Sequence, residues 1–357
     1  MSKGARVAII GGGIIGTSIA WRLAQAGLKV TLFEKGQLGR EASWAAAGML
    51  APGGEIDDHL ELVELFVESA GLYKSFVEEL SLFTGIAIDY QECGAIELAY
   101  SSEEWESLVY RAAKQAEFGI RSRPLTAEQV RIFSPHVRAE GLMGSLFYPG
   151  DAVVAPRDLM KALEAACERA GAEIRENAPV YDVRVEAGGV TVAGVRYSSA
   201  VLAAGAWSGA LRIEGADPIP STEPVRGHLL GFDLPPGACP TIVRHGHSYV
   251  LQRASGFVVA GGSMERVGFE RMIDRAIADR ILHEAAGIMP ILAQLEPVDV
   301  WTGFRPSAAK IQLGRWRETP LILAYGHYRN GILLAPLTAK RVADEILSAT
   351  GAQSAAG

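Results

Sequence analysis

Three glycines in succession, Gly11-Gly12-Gly13, stand where the β-branched run Val7–Ile10 hands over to a helical pattern. With Gly16 they fit G-x-G-x-x-G, and each glycine has a physical task. Gly11 makes a tight turn, Gly13 lets backbone approach a pyrophosphate, and Gly16 lets the helix pack close to the strand. The N–H groups and positive dipole end of that helix favour phosphate. Ile15, Ile19 and Leu23 recur at helical spacing up to Gly27, and KVTLFE reads as a second strand ending at Glu34, 18 positions after Gly16. An acid there accepts ribose hydroxyls and disfavours a 2′-phosphate. The turn predicts dinucleotide binding and leaves FAD and NAD both open.

The remaining chemistry-bearing residues exclude more than they assign. Cys93, Cys167 and Cys239 are an odd, scattered set without C-x-x-C, which gives neither a disulfide framework nor a zinc site. No histidine–carboxylate cluster has metal spacing. His228, His245 and His247 invite a catalytic-base assignment, but a pocket histidine is often only polar packing and geometry must come before pKa, so they are read as polar packing. A net charge of -7 argues against a nucleic-acid or anionic-membrane surface. No uninterrupted run reaches the ~20 apolar residues of a membrane span, and glycines break the apolar run after Arg6 that a signal peptide would keep. A cytoplasmic protein is expected. At 357 residues, 49% hydrophobic and 21% charged, the chain suits a globular enzyme of two domains.

The elements around the turn separate FAD from NAD. In an NAD dehydrogenase the βα units would continue, but here they stop at Lys35. GREASWAAAGMLAPGG follows, with small residues that let a flat ring lie close to backbone. Helices are expected at 60–80 and 102–118 with the strand GAIELAY between them, and a further helix from Pro156. AGGVTVAGVRY reads as a strand pair and AVLAAGAWSG as a strand with a glycine turn. From Val225 to Phe304 the pattern is antiparallel (GHLLGFD, TIVRH, SYVLQR, GFVVAGG and VDVWTGFR), with a helix expected over 271–291. PLILAYG and NGILLAPLTAKRVADEIL close the chain as a buried strand and a helix.

Five segments in order, GREASWAAAGML (39–50), VLAAGAWS (201–208), PVRGH (224–228), GFRP (303–306) and GHYRNGILLAP (326–336), resemble the glycine oxidase branch of the D-amino-acid oxidase superfamily. The resemblance runs over nearly the whole chain. It implies an α/β fold: a GR2-type, Rossmann-like FAD-binding domain with an inserted α+β substrate domain on an antiparallel sheet. The expected division is 1–87, 152–225 and 302–357 for FAD, and 88–151 and 226–301 for substrate. It implies that Gly11, Gly13, Ile14, Ile15 and Gly16 form the pyrophosphate turn, with Glu34 and Lys35 at the adenosine. Ala42, Ser43, Ala47, Gly48 and Met49 run along the flavin, Val180 reaches the adenine, and Ala204, Gly205 and Trp207 join the cofactor set. His327, Tyr328, Arg329, Asn330, Gly331, Ile332 and Leu333 wrap the flavin's far edge, where the helix opened by Gly331 favours negative charge. Related sarcosine oxidases tether FAD through a cysteine near the arginine-proline motif. Residues 307–314 contain none, so the FAD is expected to be noncovalent.

The chemistry then implied is oxidative deamination of glycine, sarcosine or a small D-amino acid, with hydride passing to flavin and O2 reoxidising it to give H2O2. The family links this to an imine for the thiazole of thiamine. A substrate carboxylate calls for arginine, whose planar fork offers paired N–H donors. Arg305 and Arg329 stand at the family's positions for this, with Tyr249 adding its hydroxyl and Met264 lining the pocket. Small-molecule substrate and O2 are the expected partners, in a homo-oligomer. The alternatives are a dehydrogenase with a non-oxygen acceptor, or a non-catalytic flavin-binding subunit of an amine-oxidising assembly. Two departures bear on substrate scope: SAAKIQLG after Arg305-Pro306 is shorter than the family's stretch, and His228 follows PVRG where glutamine is common.

Overall fold

A computed structural model of the chain describes residues 5–54 and 60–351. Its six-stranded sheet runs in the order Gln312–Arg315, Leu321–Tyr325, Ser199–Leu202, Arg6–Ile10, Lys29–Phe33, Glu173–Arg175. All pairings are parallel except that of the first strand. Such a sheet must be covered on both faces, and the strand alternation shows how. Val7, Ile9, Val201 and Ile322 belong to a core shared with the helices Ile14–Gln25, Val63–Thr84, Pro156–Arg169 and Gly331–Thr350. Ala8, Ile10, Leu202 and Leu321 turn the other way, onto Val183, Val190 and Tyr197 of a small four-stranded sheet.

The second large sheet has eight strands in the order Asp299–Ser307, Glu223–Asp233, Phe257–Gly261, Ser248–Gln252, Ile242–His245, Ala95–Ala99, Gly144–Tyr148, Arg123–Pro124. Its pairings are antiparallel except for Ile242–His245 against Ala95–Ala99. One face (Leu230, Val250, Val258, Ala260) carries the helix Arg275–Ile288 through Ile281, Ala285 and Ile288. The other face (Leu229, Leu251, Val259, Trp301) packs with Ala45 and Val63. The expected α/β architecture with an inserted antiparallel sheet is therefore the observed one. The strands Glu223–Asp233 and Asp299–Ser307 each run without a break through 225/226 and 301/302.

Local differences have local causes. The helix expected from residue 271 begins at Arg275, because the Asp274 carboxylate caps it by accepting from the N–H groups of Ala276 and Ile277 at 3.0 and 3.3 Å. The helix Val63–Thr84 begins after a 3-10 turn at Leu60–Leu62 and ends at Gly85, whose φ of +70° suits glycine.

Pro336 lies inside the closing helix and has no N–H to give the Ile332 carbonyl four residues before it. The Tyr73 hydroxyl donates to that carbonyl at 3.1 Å, and Ser69 Oγ donates to the next, Leu333, at 2.6 Å. The helix Val63–Thr84 thus repairs the backbone of the helix that opens onto the cavity described below. Tyr73→Phe leaves the Ile332 carbonyl buried and unpaired. The expected loss is about 1–3 kcal/mol in the denaturant unfolding of the cofactor-loaded protein; an unchanged midpoint would contradict the repair.

Candidate active site

One cavity of about 610 Å³ lies between the six-stranded and eight-stranded sheets. At its floor, Gly11 adopts a φ of +108°, and a Cβ there would collide with the Ala203 carbonyl. A Cβ on Gly16 would collide with the carbonyl of Gly11, so this glycine serves the strand–helix contact and does not line the cavity. Gly13 is the N-cap of Ile14–Gln25 with no side-chain cap, and Ser43 Oγ accepts from the Ile14 N–H at 2.9 Å. Glu34 is buried, and its two carboxylate oxygens accept from the Gly12 and Gly36 N–H groups at 2.8 and 2.9 Å. Lys35 pairs with Glu41 at 2.6 Å and lies 3.9 Å above the Trp207 ring, whose stacking partner is Phe269.

The small-residue strip Ala42–Met49 passes beneath the eight-stranded sheet and is fastened to it. Trp301 Nε1 donates to the Ala45 carbonyl at 3.0 Å. A Cβ on Gly303 would occupy the place of the Ala45 methyl. Buried Arg253 donates to the carbonyls of Ala47 and Val154. Along the opposite edge, Tyr328 (φ +49°) donates its N–H to the Pro306 carbonyl at 3.1 Å, and Gly331 starts a helix whose N-cap, Asn330, gives no side-chain cap. His327 is buried against Thr338 Oγ1 at 3.1 Å, and burial pushes its pKa down to about 4, so its ring is neutral.

The roof is one face of the antiparallel sheet. Register places Glu97, Arg244, Tyr249, Gly261 and Leu229 in a single cross-strand row. The Tyr249 hydroxyl lies over Gly261, and the Arg305 guanidinium lies over Gly227. An added Cβ would meet the tyrosine Cζ at 2.7 Å and the guanidinium carbon at 2.6 Å. Arg305 and Tyr249 converge at Gly262, where an added Cβ would have Arg305 Nη2 at 3.5 Å and the Tyr249 hydroxyl at 3.7 Å. Arg305 Nη1 donates to the Ser263 carbonyl at 2.8 Å. Among the described residues no carboxylate lies within ion-pair distance of Arg305. Burial lowers its pKa, yet a guanidinium stays charged. Burial raises the pKa of Tyr249, against Arg305 and Arg329, so its hydroxyl keeps its proton. That hydroxyl makes no hydrogen bond among the described residues.

The chain belongs to the DAO family of FAD-dependent oxidoreductases. Residues 6–345 match that family, described as FAD dependent oxidoreductase. The glycine oxidase of Geobacillus kaustophilus is 36% identical over 346 residues, covering 95% of this chain and 92% of that protein. The bifunctional protein ThiO/ThiG of Synechocystis is 32% identical over 355 residues, covering 96% of this chain and 51% of that protein. The crystal structure of glycine oxidase from Geobacillus kaustophilus superposes with a TM-score of 0.90 at 34% identity, covering 96% of this chain and 95% of that one.

FAD fits what this oxidoreductase offers. Two helix N-termini, at Ile14 and Gly331, whose own N-cap residues give no side-chain cap, open onto one cavity, and both suit negative charge. Glu34 ends a strand on the cavity wall, and the Ala42–Met49 strip leaves room for a flat ring. Apart from Gly16 and Leu333, every residue expected to bind the cofactor lines the cavity. Leu333 turns into the helical core instead, 1% exposed. Met264 does not line it either. It is 49% exposed and receives the Tyr328 hydroxyl on its sulfur at 3.2 Å, because the excursion after Gly262 carries it to the rim.

Sequence reading missed Arg244, Glu97 and Arg111, which line the far end of the same roof, and it set aside His247, which lines the cavity too. Arg244 pairs with Asp151 at 2.9 Å and Glu97 at 3.6 Å, and Arg111 pairs with Glu97. The available signal was the hairpin RHGHSY: a two-residue turn at Gly246-His247 pairs Arg244 with Tyr249 on one face.

Gly227 carries a sharper consequence. Its φ is not in the left-handed region, so alanine is tolerated by the backbone, but the new methyl takes the space of the Arg305 guanidinium. Gly227→Ala should keep full flavin content while lowering kcat/KM at least tenfold, ~1.4 kcal/mol. Unchanged kcat/KM would show that the observed guanidinium position is not the working one.

Proposed function

We propose that this FAD-dependent oxidoreductase oxidatively deaminates a small amino acid or amine of the glycine, sarcosine and small D-amino-acid class, with Arg305 holding the substrate carboxylate. The observation that carries the reading is a guanidinium in the cavity wall, lowered in pKa by burial, with no carboxylate of the described chain in reach. One N–H of its fork is held by the Ser263 carbonyl, which fixes the plane and leaves donors for an incoming carboxylate. The Tyr249 hydroxyl beside it, protonated and without a hydrogen-bond partner among the described residues, supplies a further donor to the same anion. Arg329 lines the cavity and acts electrostatically on both Tyr249 and Arg305, adding positive potential where the anion sits. FAD, when bound, supplies the acceptor for the electron pair leaving the substrate.

The chain's own part is to bind and orient, and no strong base is required of it. His327 is neutral and already committed to Thr338. The charged end of the roof at Arg244 and Glu97 favours small or polar substrates over apolar side chains, since an apolar group there would strip solvent from charges without replacing it. Dioxygen as reoxidant and a role in supplying an imine for thiazole formation fit the relatives named glycine oxidase and ThiO/ThiG. The proposal also includes a homo-oligomer in the cytoplasm; among the described residues no helix is long and apolar enough to cross a membrane.

Truncating Arg305 leaves the bound anion buried without its partner, at a cost of about 3–5 kcal/mol. Arg305→Leu should therefore lower kcat/KM for glycine or its small relatives by about two to four powers of ten. The flavin spectrum should stay essentially unchanged. Arg305→Lys should recover only part, because a point charge does not reproduce the fork. Near wild-type turnover by Arg305→Leu would remove the carboxylate role.

A further inference from the structure

Behind the arginine lies a histidine that the proposed chemistry does not use. His228, on the strand Glu223–Asp233, is 0% exposed. Its Nε2 is 3.0 Å from the backbone nitrogen of Asp274. A backbone N–H only donates, so Nε2 accepts and the neutral ring carries its proton on Nδ1. Nδ1 in turn lies 3.2 Å from Glu265 Oε2 and 3.2 Å from Ser263 Oγ. The His228 backbone N–H donates to the same Ser263 hydroxyl at 2.8 Å.

This ring grips both ends of the excursion from Ser263 to Asp274. Arg226 holds its middle: Nη1 donates to the carbonyls of Glu270 and Met272, Nε meets Glu265 Oε2 at 3.3 Å, and the backbones of Arg226 and Glu265 exchange hydrogen bonds at 2.9 Å. The first residue of the excursion, Ser263, supplies the carbonyl that receives Arg305 Nη1 at 2.8 Å. An unbroken chain of hydrogen bonds therefore runs from the Asp274 N–H, through the imidazole and Ser263, to the Arg305 fork.

We infer that His228 is a positioning residue for the carboxylate site, its Nδ1–H ring fixing the Ser263 carbonyl that aims Arg305. The inference rests on the carboxylate role proposed for Arg305. The charged groups that face the ring are Glu265 and Asp274 from the excursion and Arg226 from its own strand. Burial comes first among the influences and outweighs the carboxylates, so the His228 pKa lies below its ordinary 6.5 and the ring is neutral at neutral pH. When pH falls through that lowered pKa, Nε2 gains a proton, two donors face each other at Asp274, and the second anchor is lost.

The test is the affinity of the FAD-loaded protein for acetate, a carboxylate that cannot be oxidised, measured by titration calorimetry. Wild type, His228→Gln, His228→Leu and Arg305→Leu are compared. A glutamine amide offers one donor for Glu265 and one acceptor for Asp274, so His228→Gln should keep wild-type affinity within about twofold at about pH 8. His228→Leu, with FAD retained, should bind acetate about ten- to a hundredfold more weakly, the range of a lost hydrogen bond to a charged group. As pH falls from about 8 through the lowered pKa of the His228 ring, wild type should lose affinity relative to His228→Gln, which has no ring to protonate. Wild-type affinity in His228→Leu overturns the inference, as does an unchanged ratio of wild type to His228→Gln across that range. If the leucine variant fails to hold FAD, the pH comparison decides alone. Acetate binding unaffected by Arg305→Leu would instead overturn the carboxylate reading; loss there with no effect at His228 overturns only the inference about His228.

Discussion

A half-buried guanidinium in a cavity wall, with no carboxylate among the described residues to neutralise it, is an unstable arrangement unless something else supplies the anion. Arg305 is such a group, and the roof around it is built to tolerate it. Gly227 leaves the space in which it lies, Ser263 takes one of its N–H groups, and Tyr249 stands beside it with an idle hydroxyl. Two other arginines, Arg244 on this sheet and Arg253 one residue beyond its strand Ser248–Gln252, show the contrast. Arg253 is satisfied by the carbonyls of Val154 and Ala47, and burial lowers its pKa to about 10. Arg244 is held by Asp151 and Glu97. Those two have their partners within the chain, whereas Arg305 has no carboxylate partner among the described residues.

The cofactor half answers the same electrostatic logic from below. Two helices from opposite ends of the chain, Ile14–Gln25 and Gly331–Thr350, bring their positive ends to one cavity, and the sheet order makes this possible. Arg6–Ile10 is central, and Leu321–Tyr325 lies one strand beyond Ser199–Leu202. Both helices therefore leave the same edge of the parallel strands, where such sheets place their ligands. The second helix can start at Gly331 and still contain Pro336 because Tyr73 and Ser69 replace its missing bond and brace the turn.

The parts legible in sequence were those whose geometry is set within a few residues. The Gly11–Gly16 turn, the strand ending at Glu34 and the Ala42–Met49 strip are local patterns, and the structure puts them around one cavity. Arg305 and Tyr249, far apart in sequence, were legible only through the resemblance of their motifs, and the sheet register brings them together over Gly262. The row from Glu97 through Arg244 to Tyr249 was not legible, because it depends on pairing strands from residues 95–99 with those after 240. Met264 was misplaced for a related reason. Its position follows from how Arg226 and His228 anchor the 263–274 excursion, which no local pattern shows.

The central claim is that the site recognises a carboxylate before it oxidises an amine. Anaerobic flavin reduction by glycine and by methylamine, which lacks only the carboxylate, measures this most directly. Glycine should reduce the flavin faster by about two to four powers of ten, the equivalent of the ~3–5 kcal/mol at stake in a buried charge pair. Reduction by methylamine at a comparable rate would contradict the account.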